Sequence, residues 1–230
     1  MRIWDVHPGY LNRQSLLGEH RELHGMFSII VNGKKGYSRH PETLRWAASP
    51  GALAMRHEFL VAEMTLRGYK HHSPLPGYPQ PVTWPQTFID PPAGQFSILG
   101  EKYRDREQGR IPLPKNAQQL FAQHKYSVMA RDVALYKEIG HRVSTLGSGA
   151  LPADLVVALT LLLRVEPTPG GIRNAVQHMW GYVSHLDPVG KGEPEGWSTG
   201  QLLAQTTRRV IMSAEPYLYA STALSELSVW

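Results

Sequence analysis

The stretch NRQSLLGEHRELHGMF, residues 12–27, decides the fold of the first part of the chain. It opens on Asn12, a residue type that caps helix starts because its side-chain oxygen accepts a backbone N–H of the first turn. The larger apolar residues recur at helical spacing and form the predicted core side: Leu16, Leu17, Leu23 and Phe27. We therefore expect an amphipathic helix, with these polar residues on its other faces: Ser15, Glu19 and Glu22.

The rest of the chain carries helix signals, whereas strand signals are scarce. Pro41 to Trp46 suits a short helix, and Ser49-Pro50 starts a longer one that stops at Gly68. Further helices are predicted at residues 117–130, 131–145, 152–163, 169–184, 198–214 and 216–227. The sequence predicts a mainly α protein with an N-terminal helical domain, a Pro-rich connector and a C-terminal helical bundle.

The connector is the part of the chain that is richest in proline. Residues 71–114 hold nine of the 18 prolines. Because proline removes a backbone donor and interrupts helices, we expect an extended segment without a helix. Its aromatic residues predict that it packs against a folded domain: Tyr78, Trp84, Phe88 and Phe96. Grouped with the N-terminal part, the connector gives predicted domains at residues 1–112 and 113–230.

The amino-acid composition limits the classes of protein to which the chain can belong. The 230 residues are 42% hydrophobic and 19% charged, which is ordinary for a folded domain. The absence of cysteine excludes disulfides and thiolate-ligated metals. The longest apolar run, residues 155–163, is too short for a membrane span, and no signal peptide is recognisable, so we expect a cytoplasmic protein. The net charge of +5 is compatible with a polyanionic partner, and equally with an ordinary basic surface.

The first residues carry the most specific motif. Methionine is retained before a bulky residue such as Arg2. An α-amine has a reference pKa of about 7.7–8.0, against about 10.4 for lysine, so a useful fraction is neutral and nucleophilic near pH 7. Met1-Arg-Ile, His20-Arg-Glu-Leu23 and the stretch from Glu58-Phe-Leu to Leu66-Arg-Gly-Tyr69 resemble the pyrimidine-dimer DNA glycosylases of the phage endonuclease V type. The resemblance covers about residues 1–70.

The resemblance implies a catalytic pair and a DNA substrate. Met1 would supply the nucleophilic amine, Glu22 would handle protons and stabilise positive charge, and double-stranded DNA would be bound without a metal or other cofactor. Arg2 and Arg21 are the implied phosphate contacts. Gly25 and Ser15 stand where the family pattern has an arginine and a histidine, which concerns the contacts specific for the dimer.

Further basic residues follow in the same half of the chain. Lys34, Lys35, Arg39 and Arg45, interleaved with Tyr37 and Trp46, suit contacts to a DNA backbone and stacking on an opened base. A plain surface turn explains the Gly-Lys-Lys-Gly block equally well. His20 and His24, and the separate pair His71-His72, are expected to be packed or surface histidines, because no third metal ligand is evident.

Three motifs stand out in the C-terminal half: Gln123-His-Lys-Tyr126, Tyr136-Lys-Glu-Ile-Gly140 and the stretch from Asn174 to Tyr182. They resemble a different family, the helical domain of unknown function found in YbgA-type proteins. Asn174, Gln177, His178 and Tyr182 fall on one helical face, and His124, Lys125 and Tyr126 are placed to meet them across a bundle. Two interpretations stay open: a buried polar network, or a site for a small molecule or nucleic acid.

Taken together, the sequence predicts a DNA glycosylase/AP lyase acting on pyrimidine dimers or abasic sites. A non-catalytic nucleic-acid-binding protein is one alternative. An enzyme that acts on modified bases in RNA, with its chemistry at His178, is the other.

Overall fold

The computed structural model describes residues 1–77, 82–147, 149, 151–186 and 196–230. Within these ranges the chain forms eleven α-helices and one 3₁₀ helix, and no strand. The predicted all-helical class is confirmed. The chain divides into two compact units, residues 1–109 and 110–230. Within the described ranges, no helix has the length and apolar character needed to cross a membrane.

The first unit contains the 3₁₀ helix Pro8–Tyr10 and four α-helices: α1 (Arg13–Val31), α2 (Pro41–Trp46), α3 (Pro50–Leu66) and α4 (Pro92–Lys102). Asn12 caps α1 as predicted, since its Oδ1 accepts the Ser15 N–H at 2.9 Å. Helices α1 and α3 pack against each other and bury leucines from both. Ser49 precedes α3 as predicted, but its side chain accepts no capping hydrogen bond from the described residues.

The prediction that residues 71–114 contain no helix is wrong, because α4 lies within them. Pro92 occupies the first turn of α4, where a missing N–H leaves no helical hydrogen bond unmade. The predicted packing of the aromatic residues is confirmed for Trp84, whose ring lies 6.4 Å from that of Phe59, and for Phe96, whose ring lies 4.8 Å from that of Tyr10. Tyr78 is outside the described residues.

The second unit is a helical bundle around α5. Its helices are α5 (Ala117–Arg131), α6 (Val133–Thr145), α7 (Ala153–Leu162), α8 (Pro169–Val183), α9 (Thr199–Met212), α10 (Pro216–Tyr219) and α11 (Ala223–Glu226). Helix α5 packs against α6, α7, α8 and α11, and α8 packs against α9. At Gly171 the helices α5 and α8 come so close that a Cβ would clash with the Ala130 carbonyl.

The single helix predicted over residues 216–227 is wrong, since two short helices occupy that stretch. The chain turns between them because the Thr222 N–H donates to the Gln123 carbonyl of α5 at 2.9 Å. The Thr222 hydroxyl also lies 2.8 Å from Ser127 Oγ. These bonds to α5 replace those of a continuous helix.

Candidate active site at the chain terminus

Side chains from the helices of the first unit hold the extended segment that precedes the 3₁₀ helix. The Trp4 N–H donates to Glu19 at 3.2 Å, and the Asp5 N–H donates to Gln95 at 2.8 Å. In the other direction, Arg45 donates to the Ile3 carbonyl and Arg56 to the Val6 carbonyl. Chain termini usually fray unless they are tied down, and α1, α2, α3 and α4 all tie this one.

Buried ion pairs lie directly beneath this segment. Two of the three nitrogens of the Arg56 guanidinium donate to Glu19, at 2.8 and 3.0 Å. The Glu19 side chain is fully buried, and that of Arg56 is 4% exposed. The prediction that Glu19 and Ser15 lie away from the core is therefore wrong. Glu19 lies inside because its carboxylate satisfies both a buried guanidinium and the Trp4 N–H.

The terminal amine and the helix glutamate lie next to each other. The Met1 nitrogen is 3.9 Å from Glu22 Oε1, and the Arg2 N–H donates to Glu22 Oε2 at 2.5 Å. The Met1 side chain is mostly buried, with Sδ 3.5 Å from the Thr43 hydroxyl, whereas the Glu22 side chain is 44% exposed. An amine and a carboxylate are thus held together at a solvent-facing position, which is the arrangement that nucleophilic attack with proton transfer requires.

The residues predicted to contact DNA differ in their exposure to solvent. Arg21, Lys34, Lys35 and Arg39 are exposed, as is Tyr37. Arg2 is part-exposed, pairs with Asp90 at 2.7 Å and lies 4.2 Å over the Trp4 ring. The surface position expected for Arg45 and Trp46 is wrong. Arg45 is 4% exposed and pairs with Asp5 and Glu42, and Trp46 is buried beside it.

Four histidines of the first unit converge on one point. His20 and His24 extend from α1, His57 comes from α3, and His71 follows α3; one ring nitrogen of each lies within 4.8 Å of the others. The description of His71 as part of an isolated pair is therefore wrong, since its Nε2 is 3.1 Å from His20 Nε2. Burial, followed by the neighbouring histidines, lowers the pKa of His20 to about 4, and the pKa values of His24 and His71 are also lowered. These rings are accordingly neutral near pH 7.

In the second unit, part of the predicted polar site lines a pocket of about 560 Å³ between α5, α6 and α8. Lys125, Asn174 and His178 are among its lining residues. His124 is buried instead, with Nδ1 2.9 Å from the Leu120 carbonyl oxygen, and burial lowers its pKa to about 4. The Tyr182 ring packs against the Tyr217 ring, with centroids 5.3 Å apart and ring planes tilted by 34°.

Two family models match the chain. The model described as pyrimidine dimer DNA glycosylase matches residues 1–76, which include Met1, Glu22 and the four histidines. Residues 1–76 carry a pyrimidine dimer DNA glycosylase domain. The model described as protein of unknown function (DUF1722) matches residues 125–190 and lends no activity. No curated protein and no solved structure matches the chain.

Both resemblances predicted from the sequence are thereby confirmed. The matched stretch contains the terminal segment and the ion pairs Arg56–Glu19 and Arg45–Asp5. Gln95, which accepts the Asp5 N–H, and Asp90, which pairs with Arg2, lie beyond residue 76. Helix α4, the helix that was not predicted, contributes Gln95. Residues outside the matched stretch thus help to fix the terminus.

Proposed function

We propose that the protein is a DNA repair glycosylase/AP lyase that uses the amine of Met1 as its nucleophile. The observation that carries the proposal is the 3.9 Å separation between the Met1 nitrogen and the Glu22 carboxylate within a pyrimidine dimer DNA glycosylase domain. The substrate class is duplex DNA that contains a pyrimidine dimer or an abasic site.

In the proposed reaction the neutral amine attacks C1′ of the damaged nucleotide. At a dimer a C–N bond forms to the sugar and the glycosidic bond breaks; its electrons go to the pyrimidine, which stays joined to the neighbouring pyrimidine through the cyclobutane ring. At an abasic site the amine adds to the C1′ aldehyde and water is the leaving group. Glu22 accepts the proton that the amine loses and stabilises the positive charge on the sugar. The sugar ring then opens as the proton held by Glu22 passes to the ring oxygen, which leaves a protonated imine and acidifies the 2′ hydrogen. Loss of that proton expels the 3′ phosphate by β-elimination and cuts the strand.

The exposed cations are proposed as the surface that binds DNA. Arg21 is adjacent to Glu22 on α1, and Lys34, Lys35 and Arg39 follow after the end of that helix. Contacts to phosphate fix the register of a duplex without reading its sequence. Arg45 is instead proposed as a positioning residue, because it joins the Ile3 carbonyl to Asp5 and Glu42.

Borohydride trapping tests the proposal. Protein that starts at Met1 with a free amine is mixed with duplex DNA containing an abasic site or, separately, a cyclobutane pyrimidine dimer. Borohydride reduces an imine to a stable amine, so we expect a covalent protein–DNA adduct. The adduct should disappear when the amine is acetylated or preceded by one extra residue. A free-amine protein that binds DNA but forms no adduct on either substrate would exclude the lyase and leave a binding module.

The pocket of the second unit supports a second candidate function, which is binding of a small molecule or an extruded base. Its volume of about 560 Å³ is within the usual range for ligand sites, and Lys125, Asn174 and His178 offer polar contacts. His178→Ala is the discriminating variant. Unchanged trapping on abasic DNA, together with lost activity on RNA that carries modified bases, would assign a separate chemistry to this pocket.

A further inference from the structure

The four converging histidines are a separate chemical feature of the first unit. No sequence motif gives these residues a role, and the proposed lyase reaction does not use them. His20 and His24 are one helical turn apart on α1, and Glu22 is two residues from each, on a different side of the helix. The histidine cluster (His20, His24, His57 and His71) is therefore distinct from the Met1–Glu22 pair.

The nitrogen separations fit one metal ion. His20 Nε2 lies 3.1 Å from His71 Nε2 and 3.3 Å from His24 Nε2. Four nitrogens at about 2.0–2.1 Å from a tetrahedral zinc ion lie ~3.3–3.4 Å from one another. The widest separation in the cluster, up to 4.8 Å, would shorten by small side-chain rotations.

The fourth ring has the hydrogen bonding expected of a metal ligand. His57 Nδ1 lies 2.8 Å from Glu58 Oε1, and because a carboxylate accepts, Nδ1 donates to it. His57 Nε2 is buried and has no hydrogen-bond partner among the described residues. A ligating histidine whose other nitrogen donates to a carboxylate is the usual arrangement around protein-bound metals. A buried nitrogen without a partner is otherwise costly.

We propose that His20, His24, His57 and His71 bind one divalent transition metal ion, with Glu58 orienting His57. Imidazole ligands suit zinc and its neighbours in the first transition row. Three of the ligands come from α1 and α3, and the fourth follows α3 at the start of the Pro-rich stretch. The ion would therefore fasten that stretch to the two central helices of the glycosylase domain.

Zinc titration of a protein without a histidine tag tests the proposal. The protein is stripped with a chelator, dialysed, and titrated with Zn²⁺ in a calorimeter, and we expect one ion per chain. His71→Gln should weaken binding at least ~10-fold, and Glu58→Gln should weaken it about 10–100-fold, as loss of an orienting carboxylate does elsewhere. His72→Gln is the matched control, because His72 is an exposed neighbour outside the cluster.

Two further measurements distinguish loss of the metal site from misfolding, and specific metal binding from adventitious binding. The circular dichroism and melting temperature of each metal-free variant should match those of the metal-free wild type. Bound Co²⁺ should give the strong visible absorption of a four-coordinate site, and this absorption should be lost in His71→Gln. Absence of zinc binding to the wild type, or equal binding by wild type and His71→Gln, would overturn the proposal. Borohydride trapping by the stripped protein reports on the lyase separately.

Discussion

Glu22→Gln is the most informative single substitution in the proposed active site. Glutamine keeps the carbonyl that accepts the Arg2 N–H, so the terminal segment stays in place while the charge beside the Met1 nitrogen is lost. The change is therefore selective for the chemistry. We expect abasic-site cleavage to fall sharply while the melting temperature changes little.

The expected decrease in the rate of abasic-site cleavage can be worked out from the distance between the two groups. At 3.9 Å, two unit charges interact by about 4 kcal/mol at an effective dielectric constant of about 20, and by about 1 kcal/mol in bulk water. These energies correspond to roughly 5-fold to 1,000-fold in rate. Because Glu22 is 44% exposed, solvent screening places the charge effect near the lower end, roughly 10-fold. Lost proton transfer adds about 10²–10⁴-fold.

The assay is single-turnover cleavage of an abasic-site duplex with enzyme in excess. We expect the rate for Glu22→Gln to be at least ~1,000-fold below the wild type, which is the product of the charge effect, roughly 10-fold, and the lower end of the proton-transfer effect, about 100-fold. Glu101→Gln is the matched control, since Glu101 is an exposed helix glutamate paired with Arg104. A Glu22→Gln rate within about three-fold of the control, with the amine confirmed free, would refute the assigned role.

Three further predictions concern stability and DNA binding. Glu19→Ala should lower the free energy of unfolding by about 3–5 kcal/mol in urea titrations, because Arg56 would remain buried without its carboxylate; a loss below about 1 kcal/mol would contradict this. Replacing Lys34 and Lys35 together by alanine should reduce the number of phosphate contacts. The plot of log DNA-binding constant against log salt concentration should then become shallower by about 2, for damaged and undamaged duplexes alike. An unchanged slope would show that neither lysine contacts DNA. Gly109→Ala should cost about 1–3 kcal/mol of unfolding free energy, since the added Cβ would collide with the backbone of the 3₁₀ helix; wild-type stability would show that this backbone yields.

Local sequence signals were sufficient to predict most of the helices. Asn12 and Ser198 cap helices through their side chains, as their residue types predict. Helix α4, which begins at Pro92, was not predicted, because the density of prolines around it favoured an extended segment. Proline is nevertheless well tolerated in a first helical turn. The break before α11 had no local signal, because hydrogen bonds to the distant Gln123 cause it.

The burial of Glu19 was readable in principle. It lies three residues after Leu16 and four before Leu23, which is the spacing of the core face itself. Residue type argued against burial, since glutamate is seldom inside unless it is paired. The partner, Arg56, is 37 residues away on α3, and no local pattern pairs two positions that far apart.

The histidine cluster could not be predicted from the sequence for the same reason, because it depends on contacts between distant residues. The i,i+4 spacing placed His20 and His24 together, but a metal site needs further ligands. His57 and His71 join them only because α3 packs on α1 and the chain then returns beside it. In contrast, the pairing of Met1 with Glu22 was expected from the family resemblance, and the structure places the two groups 3.9 Å apart.

The terminal nucleophile that we propose would make unusual demands on a fold, because it must be held in place, and the terminal segment is held by side chains rather than by secondary structure. A reacting group gains from proximity only if it is held, and a free terminus is normally the least ordered part of a chain. Here Glu22 both accepts the Arg2 N–H and faces the Met1 nitrogen, so one carboxylate fixes the backbone and adjoins the amine. One additional residue would move the amine by up to ~3.3–3.6 Å, which is more than a hydrogen-bond length. The ordering that makes the amine effective therefore also makes the proposed activity depend on which residue begins the chain.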